Sequence, residues 1–189
     1  MNRLRKILEF CDLSGKGIEV APYFNPAVPK RDGHDVLIMD VFDTETLRER
    51  ASIDPLIPQD RLHEIEDVDL VGDASRIGDV VENTGAAGEI AYIVSSHNFE
   101  HLPNPILFLQ GCYTALRPGG VLSMAVPDCR ACFDHFRMPT RLSDWLMAFH
   151  ENRGQPSPET IFDYTSNFAY FHKGDKKLPG CNMKKDSPA

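Results

Sequence analysis

Three carboxylates stand at or just past the ends of short apolar runs. Glu19 lies within Gly17-Ile18-Glu19-Val20-Ala21, Asp40 near the end of Asp35-Val36-Leu37-Ile38-Met39-Asp40-Val41, and Asp73 two residues beyond Asp67-Val68-Asp69-Leu70-Val71. Acids leaving neighbouring strands suit a ligand rich in hydroxyl and amine donors, and an acid ending the second strand is placed to accept from a ribose diol. Asp73 can then accept from an exocyclic amine. A second constellation, Ser96-His97-Asn98-Phe99-Glu100-His101, brings two imidazoles and a carboxylate into six residues. A neutral imidazole near pH 7 can take a hydroxyl proton, so His97 and His101 are the candidate catalytic residues, with His97 as general base.

Two other spacings compete with that reading. His97-x-x-Glu100-His101 matches the H-x-x-E-H pattern of some zinc hydrolases, whose two histidines share a helical face. Here the motif leaves a strand and runs into Leu102-Pro103-Asn104-Pro105, which leaves room for about one helical turn. Metal-dependent hydrolysis is therefore the less favoured alternative. Cys129-x-x-Cys132 has no second pair and sits beside Asp128 and Asp134, which raise a thiol pKa, so both read as ordinary thiols.

The elements that must position these groups follow from the apolar pattern. Strands are expected at 17–21, 35–41, 67–71, 91–95 and 121–126, the second as a run bounded by acids and hidden on both faces. Between them, helices are expected at 44–51, 77–83, ended by Gly85, and 105–116, opened by Pro105 and stopped by Arg117-Pro118-Gly119-Gly120. This alternation predicts an α/β fold, a doubly wound and mostly parallel sheet with helices on both faces. Beyond Pro127 two amphipathic helices are expected, at 141–152 and 158–171, then a frayed polar tail and no clear strand. Trp145, Leu146 and Phe149 read as core or pocket wall, extended by Phe133, Phe136, Phe168, Tyr170 and Phe171.

The 189 residues, 42% hydrophobic and 25% charged, suit one folded domain with a real core. A net charge of −8 repels polyanions, which argues against a nucleic-acid partner. No apolar window is long enough for a membrane span and the N-terminus lacks a signal peptide's features, so the protein is expected in the cytoplasm. There the five cysteines are expected to remain thiols.

Taken in order, GIEVA, VLIMD, GDA, IVSSHNFEHLPNP and LRPGGVLSMAVPD, over about residues 15 to 135, resemble the class I, Rossmann-like S-adenosylmethionine-dependent methyltransferases. The most specific piece is the acidic-His-Leu-Pro run followed by a helix closing in Leu-Arg-Pro-Gly-Gly. The resemblance implies S-adenosylmethionine in the strand-end crevice and methyl transfer to an oxygen or nitrogen of an acceptor. It implies Glu19 near the cofactor's amino-acid moiety, with Ala21, Pro22 and Asn25 in the loop at that end. Asp40 falls on the ribose hydroxyls, Asp73 and Ala74 at the adenine, and Ser96 with His97 beside the reacting methyl.

Some relatives hold a divalent metal with a carboxylate, a Glu and a His at this place. Glu100 and His101 match, but His97 stands where the first carboxylate would be, and no metal is assigned; a solvated Glu100 and a backbone-bonded His101 is the simpler alternative. Two departures from the family pattern stand out. Its Gly-x-Gly turn after the first strand is here Ala21-Pro22-Tyr23, which implies a different loop path and a first crossover helix that is short or absent. Its sixth and seventh strands are not both found after Asp128.

The expectation is therefore a core over 1–135 with a helical extension and polar tail over 136–189 in the same domain. Its function is expected to be methyl transfer to a small-molecule or glycan-like acceptor. A catalytically silent cofactor- or partner-binding module is the alternative. NAD chemistry is disfavoured, because no G-x-G-x-x-G follows the first strand.

Overall fold

The β-branched and apolar runs form five strands, β1 (Gly17–Val20), β2 (Val36–Asp40), β3 (Leu70–Val71), β4 (Ile90–Ser96) and β5 (Leu116–Ala125). A computed structural model describes residues 3–55, 57–173 and 176–179 of the chain. All pairings among the five strands are parallel, in the order β3-β2-β1-β4-β5. From β1 the chain builds β2 and β3 on one side, then returns to lay β4 and β5 on the other. The carboxyl ends of β1 and β4, adjacent strands whose crossovers run in opposite directions, thus frame a crevice.

One face of the sheet is covered by α3 (Ile77–Thr84) and α4 (Pro105–Ala115). Gly85 ends α3 in the left-handed conformation, and the Asn104 side chain caps α4 by accepting from Leu107 N at 3.2 Å. Ile77, Val81, Phe108 and Cys112 pack there against Ile18, Val20, Met39 and Ile93. Fully hidden side chains such as Phe108 each contribute roughly 1.5–3 kcal/mol by leaving water.

Ile7 of α1 (Arg3–Leu8) and Val28 cover the other face, against Val36, Ile38, Tyr92 and Val94. The β1–β2 crossover carries no α-helix, only a 3-10 turn at Lys30–Asp32. Val28, a loop residue with no exposed surface, takes the place a crossover helix would fill. α2 (Thr44–Ile53), capped by Asp43, packs Leu47 and Ala51 on Ile65, and Tyr23 and Phe24 of the crossover lie against that cluster.

The elements differ from expectation where side chains or pairing override the local pattern. The third strand shrinks to two residues, because Val68 N–H goes to Thr44 Oγ1 and the Asp69 carboxylate accepts from Ile38 N. β5 runs through the expected Arg-Pro-Gly-Gly stop, since Leu116 already pairs with Ile90.

The helices past Pro127 are α5 (Leu142–His150) and α6 (Pro158–Ser166). α6 ends five residues earlier than expected, and the expectation of no later strand is corrected: β6 (Tyr170–Lys173) and β7 (Lys176–Pro179) form an antiparallel hairpin apart from the main sheet. The rest of the expected tail, with Cys181, lies outside the described residues. Phe133 stacks on Phe168 at 5.1 Å, and Phe168 meets Tyr170 at 4.8 Å, whereas Phe136 is exposed. No helix among the described residues is long and apolar enough to cross a membrane.

Candidate functional site

A hollow of about 170 Å³ opens at the carboxyl ends of β1, β2 and β3. Ala21, Asp40, Asp73 and Ala74 line it on one side; Asn98, His101, Leu102 and Pro103 close the other. Asp40 is 7% exposed, and its Oδ1 accepts from Phe42 N at 3.1 Å. Burial pushes its carboxyl above the usual range, the Phe42 and Val41 N–H groups opposing that shift. No cation pairs with it among the described residues. Asp73 accepts from Ser75 N at 2.8 Å, which turns the chain at Ala74 into the hollow.

Of the three strand-end carboxylates, then, Asp40 and Asp73 meet in one hollow and Glu19 does not. Successive side chains of a strand point to opposite faces. Ile18 and Val20 face α3 and α4, so Glu19 faces the crossover. Its Oε1 accepts from Ala27 N at 2.7 Å and its Oε2 from Val28 N at 2.9 Å. At 2% exposure it organises the loop rather than lining the hollow, and burial pushes its carboxyl up despite those two donors.

Pro22 and Asn25 are likewise outside the hollow. Asn25 Oδ1 accepts from Arg61 Nη2 at 3.3 Å, the same nitrogen reaches Phe24 O at 3.2 Å, and Arg61 is held in turn by Glu64 at 2.7 Å. That hydrogen bond, with the charges of Arg61 and Arg31, pulls the Glu64 carboxyl down to about 2. Sequence reasoning missed this clamp, because Arg61 and Asn25 are 36 residues apart and share no motif. Ser96 is also drawn away, its Oγ accepting from Arg3 Nη2 at 2.6 Å.

Ala21 and Tyr23 both have left-handed backbone, with φ of 49° and 52°. They flank Pro22 in the segment where the resemblance implies a Gly-x-Gly turn. The turn keeps a glycine-type backbone without glycine, held by Ala21 N–H on Met39 O at 2.8 Å and by the Tyr23–Phe24 edge contact at 5.6 Å.

A much larger cavity, about 1110 Å³, lies beyond the ends of β4 and β5 beneath α5 and α6. His97, Glu100 and His101 stand at one end, with Phe99, Trp145, Phe133, Tyr164 and Ile161 among its walls. His101, Leu102 and Pro103 line both this cavity and the smaller hollow, so they are the partition between them.

His97 too has left-handed backbone, φ 54°, fixed by its N–H on Ala125 O at 2.9 Å. Glu100 Oε1 stands 3.6 Å from His97 Nδ1 and 3.9 Å from His101 Nε2. Both separations exceed hydrogen-bond length, so neither imidazole is locked to the carboxylate. Glu100 and His101 ride on a three-residue 3-10 turn, Phe99–His101, and His97 precedes it in left-handed backbone, so the three do not offer the helical face that the zinc-hydrolase pattern needs. Among the described residues no three His, Cys, Asp or Glu side chains are grouped to hold a metal ion.

Cys129 and Cys132 are free thiols at the cavity's edge. Burial raises the Cys132 pKa, followed by the charges of Asp134, Cys129, Glu100 and Asp128. Gly72, of the Gly-Asp-Ala run, lines the hollow too, as does Asn98, which no sequence motif marks as a ligand-facing residue although it sits just past β4.

No curated protein matches the chain. The methyltransferase-domain family matches residues 3–167, a span that runs from α1 through α6 and takes in the whole parallel sheet. A match of that extent, on a sheet wound in this order with its hollow at the strand ends, places the chain in the methyltransferase-domain family.

Proposed function

We propose that the protein is an S-adenosylmethionine-dependent methyltransferase that modifies an oxygen or nitrogen of a small acceptor, with glycan-like molecules in that range. The observation carrying this reading is the shared boundary: His101, Leu102 and Pro103 line both the strand-end hollow that holds Asp40 and Asp73 and the large cavity beside it. Donor and acceptor could then meet across a single turn, and holding two reactants in register supplies most of what such a transfer needs.

The residues present fit the cofactor. Asp40 is a low-exposure carboxylate met only by backbone N–H groups, which leaves capacity to accept from two ribose hydroxyls. Asp73 and Ala74 would border the base, and the backbone at Ala21 approaches the hollow with only a methyl side chain. When bound, S-adenosylmethionine supplies an electrophilic methyl on a sulfonium sulfur. His97, whose Nδ1 faces Glu100, keeps Nε2 to take a proton from an acceptor hydroxyl, and Glu100 stabilises the imidazolium that results. His101 closes the partition.

Calorimetry with S-adenosylhomocysteine, NAD and zinc tests the reading. Binding of the first alone is expected, and Asp40→Ala should weaken it by about 1–3 kcal/mol through loss of charge-assisted hydrogen bonds. An unaltered dissociation constant would remove Asp40 from the site. The turn at Ala21-Pro22-Tyr23, built without glycine, favours a second reading as a silent binding module; cofactor binding without turnover on any acceptor would support that one.

A further inference from the structure

The large cavity says what kind of acceptor it takes, an inference that rests on the methyl-transfer reading for the role of its occupant. Its cations are already paired. Arg137 Nε donates to Asp163 Oδ2 at 2.6 Å and its Nη1 lies 3.8 Å from Asp134 Oδ2, while Arg153 Nε donates to Glu151 Oε2 at 2.5 Å. Among the described lining residues there is no lysine, each arginine already has its charge offset by a carboxylate, and Glu100 beside the two histidines repels an anion.

The serine and threonine hydroxyls that line the cavity at α6 and its N-cap are engaged as well. Ser157 Oγ and Thr160 Oγ1 bond each other at 3.2 Å, and Thr165 Oγ1 donates to Ile161 O at 2.9 Å. A polyol brings donors and acceptors around its whole rim, and each one buried without a partner weakens binding by about tenfold or more.

What the walls do offer is aromatic. Phe99 meets Trp145 edge to face at 5.6 Å, and Phe133 meets Tyr164 the same way at 5.7 Å. All four rings line the cavity, with Leu102 and Ile161 beside them. His97, Glu100 and His101 converge beside Phe99, while the Trp145 indole N–H and the Thr140 and Tyr164 hydroxyls are isolated polar atoms along the walls. Apolar walls with a few polar groups converging at one point select a ligand of the same polarity.

We propose that the acceptor is a neutral, mainly apolar ring compound carrying a hydroxyl, of the phenol class, with its ring among these aromatics and its hydroxyl at His97. The hydroxyl oxygen forms the bond to the methyl carbon as that carbon's bond to sulfur breaks, the electron pair staying on sulfur. The hydroxyl proton passes to His97 Nε2.

Trp145 is the single tryptophan of the chain, so its emission reports this cavity directly. The full chain is titrated with the tetrahydronaphthol whose hydroxyl is on the aromatic ring, with the phosphate monoester of that phenol, and with maltose, exciting Trp145 selectively. A saturable change with tetrahydronaphthol is expected, at least about tenfold tighter than with the phosphate ester, and no saturation with maltose. Equal or tighter binding of the ester or of maltose overturns the proposal, as does a titration in which tetrahydronaphthol never saturates.

S-adenosylhomocysteine calorimetry on the same preparation separates the two failures. If that ligand does not bind but the phenol saturates, the methyl-transfer reading falls and the phenol site stands. If it binds and the phenol does not saturate, the acceptor class alone falls.

Discussion

Ala21 and Tyr23 hold left-handed backbone two residues apart, on either side of Pro22, in the turn that leaves β1. An L residue in that conformation costs roughly 1–2 kcal/mol, and glycine removes the clash at a smaller entropic cost of about 0.5–1 kcal/mol. Tyr23 recovers part of its strain by packing on Phe24 and the α2 cluster, whereas Ala21 has only a methyl group and is exposed. Ala21→Gly is expected to raise the urea unfolding free energy by about 0.5–1 kcal/mol, and Ala21→Val to lower it. A drop in Ala21→Gly would show that the turn stores no strain there.

Glu19 tethers the crossover by accepting from two consecutive backbone N–H groups. Glutamine keeps one acceptor and turns its NH₂ toward the other N–H, which leaves a buried donor unpaired. Glu19→Gln is expected to lose about 1–3 kcal/mol of stability. Hydrogen exchange should accelerate at Ala27 and Val28 first, and a uniform change across the sheet would argue against a local tether.

Gly78 of α3 and Gly111 of α4 touch backbone to backbone. A Cβ at Gly111 would stand 2.5 Å from Gly78 N, and one at Gly78 would stand 2.8 Å from Gly111 Cα. Alanine favours a helix interior over glycine by about 1 kcal/mol, but a backbone neighbour cannot swing aside. Gly111→Ala should therefore destabilise by about 1–3 kcal/mol net. Gly154→Ala, where nothing lies within 4 Å, should stay within about 0.5 kcal/mol of the parent. Equal thermal midpoints for the two variants would contradict this packing.

The Glu64–Arg61 pair links acidity to the β1 loop. Its folded carboxyl is depressed from 4.5 to about 2, so its contribution is complete above the unfolded value and is lost as pH falls through the folded one. Thermal stability of the parent should decline between pH 4.5 and about 2 more steeply than that of Glu64→Gln, which has no proton to gain there. Parallel melting curves for both proteins across that range would disconnect the clamp from loop stability.

Much of the scaffold was legible because it is local. The run from Val36 to Asp40 reads as a strand hidden on both faces, Pro105 and Gly85 mark helix ends by their own backbone chemistry, and the strand–helix rhythm sets a parallel sheet. The same logic places Asp40 and Asp73 at strand ends, and both line the hollow.

Glu19 shows where such reasoning stops. Its address in the chain is that of a ligand-facing acid, but the period-two alternation of β1 and the absence of a crossover helix turn it onto Ala27 and Val28. The sequence by itself determined the α/β class, the strand order's local units and which residues leave those strands. Tertiary structure alone decided that His101 walls two cavities at once, that Arg61 reaches back to Asn25, and that the chain past Ser166 returns as a hairpin. The reason is physical: backbone propensity and hydropathy act over a few residues, while a cavity or an ion pair between distant segments exists only once the core has set their separation.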